Sequence, residues 1–142
     1  MQYFRSVIVF VVACALAACS GKESAPPPTT QHTLKVAAIS LGRTIAADKT
    51  VADPISSFRP ADTFYLSVET EGGAASARLS ARWTYEAGQV VDESTQNIAP
   101  SGPAVSEFHV SKPDGWPIGS YRVDVSLNGA LAGHKEFKVE AL

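Results

Sequence analysis

Few residues in this 142-residue chain have the types and spacing that chemistry needs. Three histidines occur: His32, His109 and His134. Glu107 and His109 are two residues apart. On a strand that spacing puts both side chains on one face, roughly 7 Å apart, where they can face one cation. The sequence offers no identifiable third ligand, so a solvated sheet face is the simpler reading and no metal is expected. Hydrolysis by a serine triad needs a nucleophile on a tight turn, a histidine and an orienting acid. No Gly-x-Ser-x-Gly occurs, nor a Gly-rich phosphate loop, nor His-Glu-x-x-His. Asp92 and Glu93 are adjacent, so on a strand they point to opposite faces and cannot share acid–base work. The chain is therefore expected not to be an enzyme and to need no cofactor.

Four other side chains are candidates for binding: Arg78, Arg82, Arg122 and Trp116. If the strands carrying the arginines are neighbours, all three guanidinium groups share one outer face with Asp124. Such a face can dock an acidic partner, a glycan or a lipid headgroup. The plainer reading is pairing of the arginines with Asp124 or Glu69, which keeps the face soluble. Trp116 sits in Lys112-Pro113-Asp114-Gly115-Trp116-Pro117. A loop Trp can stack on a sugar ring or anchor an interface. The plainer reading is that it closes one end of the core beside Tyr121.

The elements that must position these residues are strands, because the dominant period is two. Phe64, Leu66 and Val68 share one face; Tyr65, Ser67 and Glu69 share the other. Ala77, Leu79, Ala81, Trp83 and Tyr85 alternate with Arg78, Ser80, Arg82 and Thr84. Tyr121, Val123, Val125 and Leu127 alternate with Arg122, Asp124 and Ser126. Each pattern predicts a half-buried strand with one wet face. Weaker strands are expected at Leu34–Leu41, Gln89–Glu93, Val105–Ser111 and His134–Glu140. Asn128-Gly129 predicts a type I′ hairpin turn, which needs two residues at positive φ. Seven or eight short strands separated by turn residues predict a single antiparallel β-sandwich over residues 33–142. No stretch has the period of an amphipathic helix.

Composition agrees with one globular domain. Hydrophobic residues make up 45% of the chain and charged residues 18%, which excludes a disordered polyelectrolyte. Twelve basic side chains against 14 acidic ones give no electrostatic case for nucleic-acid binding. Residues 1–18 stand apart. Arg5 precedes an apolar run from Val7 to Ala18, which is too short to span a bilayer and fits the core of a signal peptide. Residues 19–32 read as a tether. Pro26-Pro27-Pro28 stiffens it, and fully extended it reaches roughly 40 Å.

Leu16-Ala17-Ala18-Cys19 resembles the lipobox of bacterial lipoproteins. The resemblance implies cleavage before Cys19 and diacylation of its thiol, with further acylation at the new amino terminus. It also implies anchoring to a membrane of the cell envelope. Ser20, rather than an aspartate, follows Cys19; by the same resemblance this points to the outer membrane, facing the periplasm. Cys14 would leave with the signal, so the remaining domain would hold no disulfide and no thiolate site.

Trp83 on an inward-facing strand, and Gly119-Ser120-Tyr121 opening another, resemble immunoglobulin-like sandwiches, with Tyr121 in a tyrosine-corner position. The stretch Phe108–Gly129 is also similar to macroglobulin-like bacterial domains. The resemblance implies an immunoglobulin-like fold in which the strands bearing Arg82 and Arg122 are neighbours. The expected role is a non-catalytic adaptor with an envelope protein as partner. The alternatives are a small-ligand or glycan binder using loop aromatics, then an enzyme inhibitor or an enzyme.

Overall fold

The computed structural model describes residues 32–142. The leader, Cys19 and the tether up to residue 31 lie outside the described residues. Eight strands form: β1 (Lys35–Gly42), β2 (Ser57–Phe58), β3 (Phe64–Glu71), β4 (Ala77–Tyr85), β5 (Gln89–Ile98), β6 (Ala104–Val110), β7 (Gly119–Leu127) and β8 (Ala130–Val139). They make a three-stranded sheet, β1-β3-β6, and a five-stranded sheet, β2-β8-β7-β4-β5. Every pairing between these strands is antiparallel except the two-residue parallel match of β2 to β8.

The period-two pattern does what the sequence predicts. Leu79, Ala81 and Trp83 on β4 are buried, as are Tyr121, Val123 and Val125 on β7 and Phe64, Leu66 and Val68 on β3. These inward rows close one core between the two sheets. Phe64 is its centre. Its ring lies 4.8 Å from Phe58, 4.7 Å from Trp116 and 4.9 Å from Phe137, edge-on to the first and last and stacked on Trp116. Full burial of one such ring contributes about 2 kcal/mol from its area alone.

Two local devices pin the frame. The Tyr121 hydroxyl donates to the Pro117 carbonyl at 2.8 Å, which fastens the β6–β7 connection onto β7. This is the tyrosine corner that the resemblance implied. Asn128 (φ 52°) and Gly129 (φ 84°) form the left-handed pair of the β7–β8 turn. The Asn128 Oδ1 accepts the Arg78 amide at 2.9 Å, tying that turn to β4. Strand order, corner and core together make this an all-β, immunoglobulin-like sandwich.

The structure departs from the sequence reading at the margins. Strand β5 runs on to Ile98 and β8 starts at Ala130, four residues before the expected His134. Strand β2 was not expected. Alternation places Ser67 on a wet face with Tyr65 and Glu69, yet it is 1% exposed and its hydroxyl has no partner among the described residues. It sits mid-strand with Ser40 on one side and Glu107 on the other.

The chain enters near Thr33, which bridges Gly73, and the β3–β4, β5–β6 and β7–β8 connections cluster at that end. Strand β8 finishes at the other end, where Val139 pairs with Gly119.

Candidate functional site

The outer face of the five-stranded sheet gathers the charged residues. On β4, Arg82 is opposite Asp124 of β7 on one side and Glu93 of β5 on the other. Arg122 is opposite Thr84 of β4 and Glu136 of β8. Arg82 and Arg122 are therefore diagonal neighbours across one ladder, about 7–8 Å apart at the backbone. Arg122 donates from Nε to Asp124 Oδ1 at 2.7 Å, and its Nη1 lies 4.0 Å from Glu136. Arg82 Nε lies 3.9 Å from Glu93. Arg78 shares the face but stands four residues back along β4, beside Asn97 and the Asn128 turn.

The arginines' partners are thus Asp124, Glu93 and Glu136. Glu69 is not among them, because β3 belongs to the other sheet. Sequence reasoning missed Glu93 and Glu136 as partners. Their only signal was opposite charge, and it becomes readable once strand register is known. The Arg82 and Glu93 side chains are more than half exposed, and such open pairs contribute at most about 1 kcal/mol each. They hold the groups loosely in water, where another charged surface can compete for them.

Two open concavities flank this row. One, of about 900 Å³, lies beside Arg122 and is lined by Thr84, Glu86, Ser120, Glu136 and Lys138. Glu86 Oε1 accepts the Ser120 amide at 2.9 Å on its wall. The other, of about 360 Å³, lies between Arg82, Glu93, Ser126 and Leu131. Both can take hydrogen-bonding and charged groups from a partner.

Trp116 is placed elsewhere. It is 6% exposed, stacked on Phe64, with its Nε1 donating to the Asp62 carbonyl at 3.0 Å. The plainer reading of Trp116 holds, and its candidacy as a sugar-stacking or interface residue is corrected: the indole closes the end of the core, and Tyr121 packs edge-on against it. Burial pushes the Tyr121 phenol up to about 12, with the neighbouring Tyr85 and Glu86 adding to the shift.

Glu107 and His109 lie together on the outer face of the three-stranded sheet, Nδ1 to Oε1 at 2.5 Å, with Tyr65 beside the imidazole. Each occupies the other. Among the described residues, no group of three His, Cys, Asp or Glu side chains is placed to hold a metal ion.

No family model matches the chain, and no curated protein matches it. Solved structures do. An immunoglobulin-like protein of Pseudomonas aeruginosa is similar at 15% identity and TM-score 0.55, covering 78% of this chain and 99% of that one. A Listeria innocua β-glucosidase is similar at 10% identity and TM-score 0.51. The match covers 76% of this chain and 16% of the enzyme. An alkylpurine DNA glycosylase of Pseudomonas fluorescens is similar at 17% identity and TM-score 0.49, with 76% of this chain and 30% of that one covered. The chain thus spans under a third of either enzyme. What the likeness to the Pseudomonas aeruginosa protein establishes is the immunoglobulin-like fold.

Proposed function

We propose that this chain is a lipid-tethered, non-catalytic interaction module of the bacterial cell envelope. It would dock a partner protein on the outer face of its five-stranded sheet. One observation carries the reading: Arg82, Glu93, Arg122, Asp124 and Glu136 form a half-exposed row of alternating charge on a rigid sheet. Rigid placement lowers the ordering cost of docking, and alternating charge selects a complementary surface more than it adds affinity. The lipobox resemblance at Leu16–Cys19 supplies the anchor and the outer-membrane, periplasm-facing location. Burial of Trp116 removes the aromatic platform on which glycan binding was to rest.

Photo-reactive residues placed singly at Arg82 and Arg122 in living cells test the docking face, with the exposed Lys35 on β1 of the other sheet as control. The expected result is one dominant protein captured from both arginine positions and not from Lys35. Charge reversal at the other arginine should lower the yield. Equal, diffuse capture from all three positions overturns the reading. Separately, Cys19→Ala should release the protein from membranes, whereas unchanged retention overturns the lipid anchor.

A further inference from the structure

The two sheets differ in width, and the wider one overhangs the narrower along one side. The three-stranded sheet stops at β6 and the five-stranded sheet at β5, so each presents a free edge there. The edges are close. Gln96 of β5 shares the inward face with Leu79, and its Nε2 donates to the Glu107 carbonyl of β6 at 2.6 Å. That carbonyl therefore points away from β3, into the seam. By strand alternation, the backbone groups of Val105 and His109 point the same way.

Proteins usually blunt such edges with lysine, proline or a short strand. Between Ala104 and Val110, β6 has neither Lys nor Pro, and one side chain, Gln96, caps one of its carbonyls. At the distal end the seam opens into a groove of about 410 Å³ lined by Val90, Val91, Pro113, Trp116 and Lys112. Val90 there is 42% exposed, a large apolar side chain in water. Asp92, on the inward face with Trp83, and Glu107, on the outward face with Ser67, flank the seam on both sides.

We infer that the free edge of β6 is a docking site for an extended, basic segment of a partner protein, added as a fourth strand to the smaller sheet. Main-chain hydrogen bonds to Val105, Glu107 and His109 would hold it, and side-chain pockets would select it. An antiparallel segment starts where β6 ends. Its N-terminal part therefore carries an apolar residue into the Val90–Trp116 groove. Lys or Arg follows, meeting Asp92 when it points inward and Glu107 when it points outward. Gln96 acts as the stopper that the segment displaces. This site is separate from the Arg82–Arg122 face and does not rest on it.

The probe is a display library of random ten-residue segments, panned on the full-length chain in detergent micelles. The expected result is enrichment of alternating segments with a β-branched residue near the N-terminal end and Lys or Arg at the centre. For one enriched peptide, Gln96→Ala should tighten binding about fivefold by removing the competing bond. Glu107→Lys should weaken it about fivefold or more. Arg82→Glu should leave it unchanged, which separates this site from the other face. Amide exchange at Val105, Glu107 and His109 should slow on binding, and unchanged denaturation midpoints would certify that the variants fold. Three results overturn the inference: no enrichment above bare support, enriched peptides indifferent to Gln96→Ala and Glu107→Lys, or dimerisation of the chain that Glu107→Lys abolishes. The last would assign the edge to a second copy.

Discussion

Tyr121 links a connection, a strand and the core through one hydroxyl. Tyr121→Phe keeps the ring between Phe137 and Trp116 but strands the Pro117 carbonyl, so it should cost about 1–3 kcal/mol in urea denaturation. The same group sets an alkaline limit. Its pKa is raised to about 12 in the folded chain, mainly by burial, while a free phenol titrates near about 10. The unfolded chain therefore releases this proton first as pH rises. The contribution is full below about pH 10 and is lost on the way to about pH 12. Urea midpoints measured across that window should fall less steeply for Tyr121→Phe than for the parent. Ser67 is the opposite case, a buried hydroxyl without a partner among the described residues. Ser67→Ala removes a desolvated polar group and little volume, so it should leave stability unchanged or raise it by up to about 1 kcal/mol. A loss beyond that would mean the hydroxyl is bonded in solution.

Among the elements, the β7–β8 turn is held by conformation more than by packing. A Cβ added at Gly129 meets nothing within 4 Å, so Gly129→Ala isolates the cost of its positive φ. That cost is about 1–2 kcal/mol, read as a lowered thermal midpoint. The turn was legible in Asn128-Gly129 because two residues of that type in sequence demand it. Strand β4 was equally legible, since five apolar residues alternate with Arg78, Ser80, Arg82 and Thr84 on a central strand that is wet on one side. The second half of β5 was not. Ser94, Thr95, Gln96 and Asn97 are polar on both faces, because the inward face of this edge strand is only half-buried, and Ile98 alone of this half packs on the core. The start of β8 was hidden for a different reason: Gly133 lies under Ile39 and supplies no side chain to mark the period. Strand β2 is two residues long, too short for any period. Of the candidate site, the shared face of Arg82 and Arg122 followed from alternation plus strand adjacency. The burial of Trp116 was readable only as one of two options, because a Trp flanked by Pro and Gly looks alike whether it packs or projects.

At the scale of the whole molecule, the two sheets differ in character. The five-stranded sheet offers a broad charged surface, while the three-stranded sheet offers a short edge beside a groove of mixed polarity. These are different surfaces, so occupation of one leaves the other open. The described domain contains no cysteine, so its thermal midpoint should be the same with and without reductant. Its ends also lie at opposite poles: the chain enters beside Gly73 and finishes β8 beside Gly119. That placement has a mechanical consequence. A pull between the two poles draws β1 lengthwise along β3 and β8 lengthwise along β7, so many ladder bonds resist together instead of opening one by one. Stretched in an optical trap by handles at the two poles, the domain should yield at a higher force than when gripped at the β3–β4 and β7–β8 turns. Resistance of this kind is set by the unfolding rate and not by equilibrium stability. A domain built this way can stay folded while load is applied between its two poles.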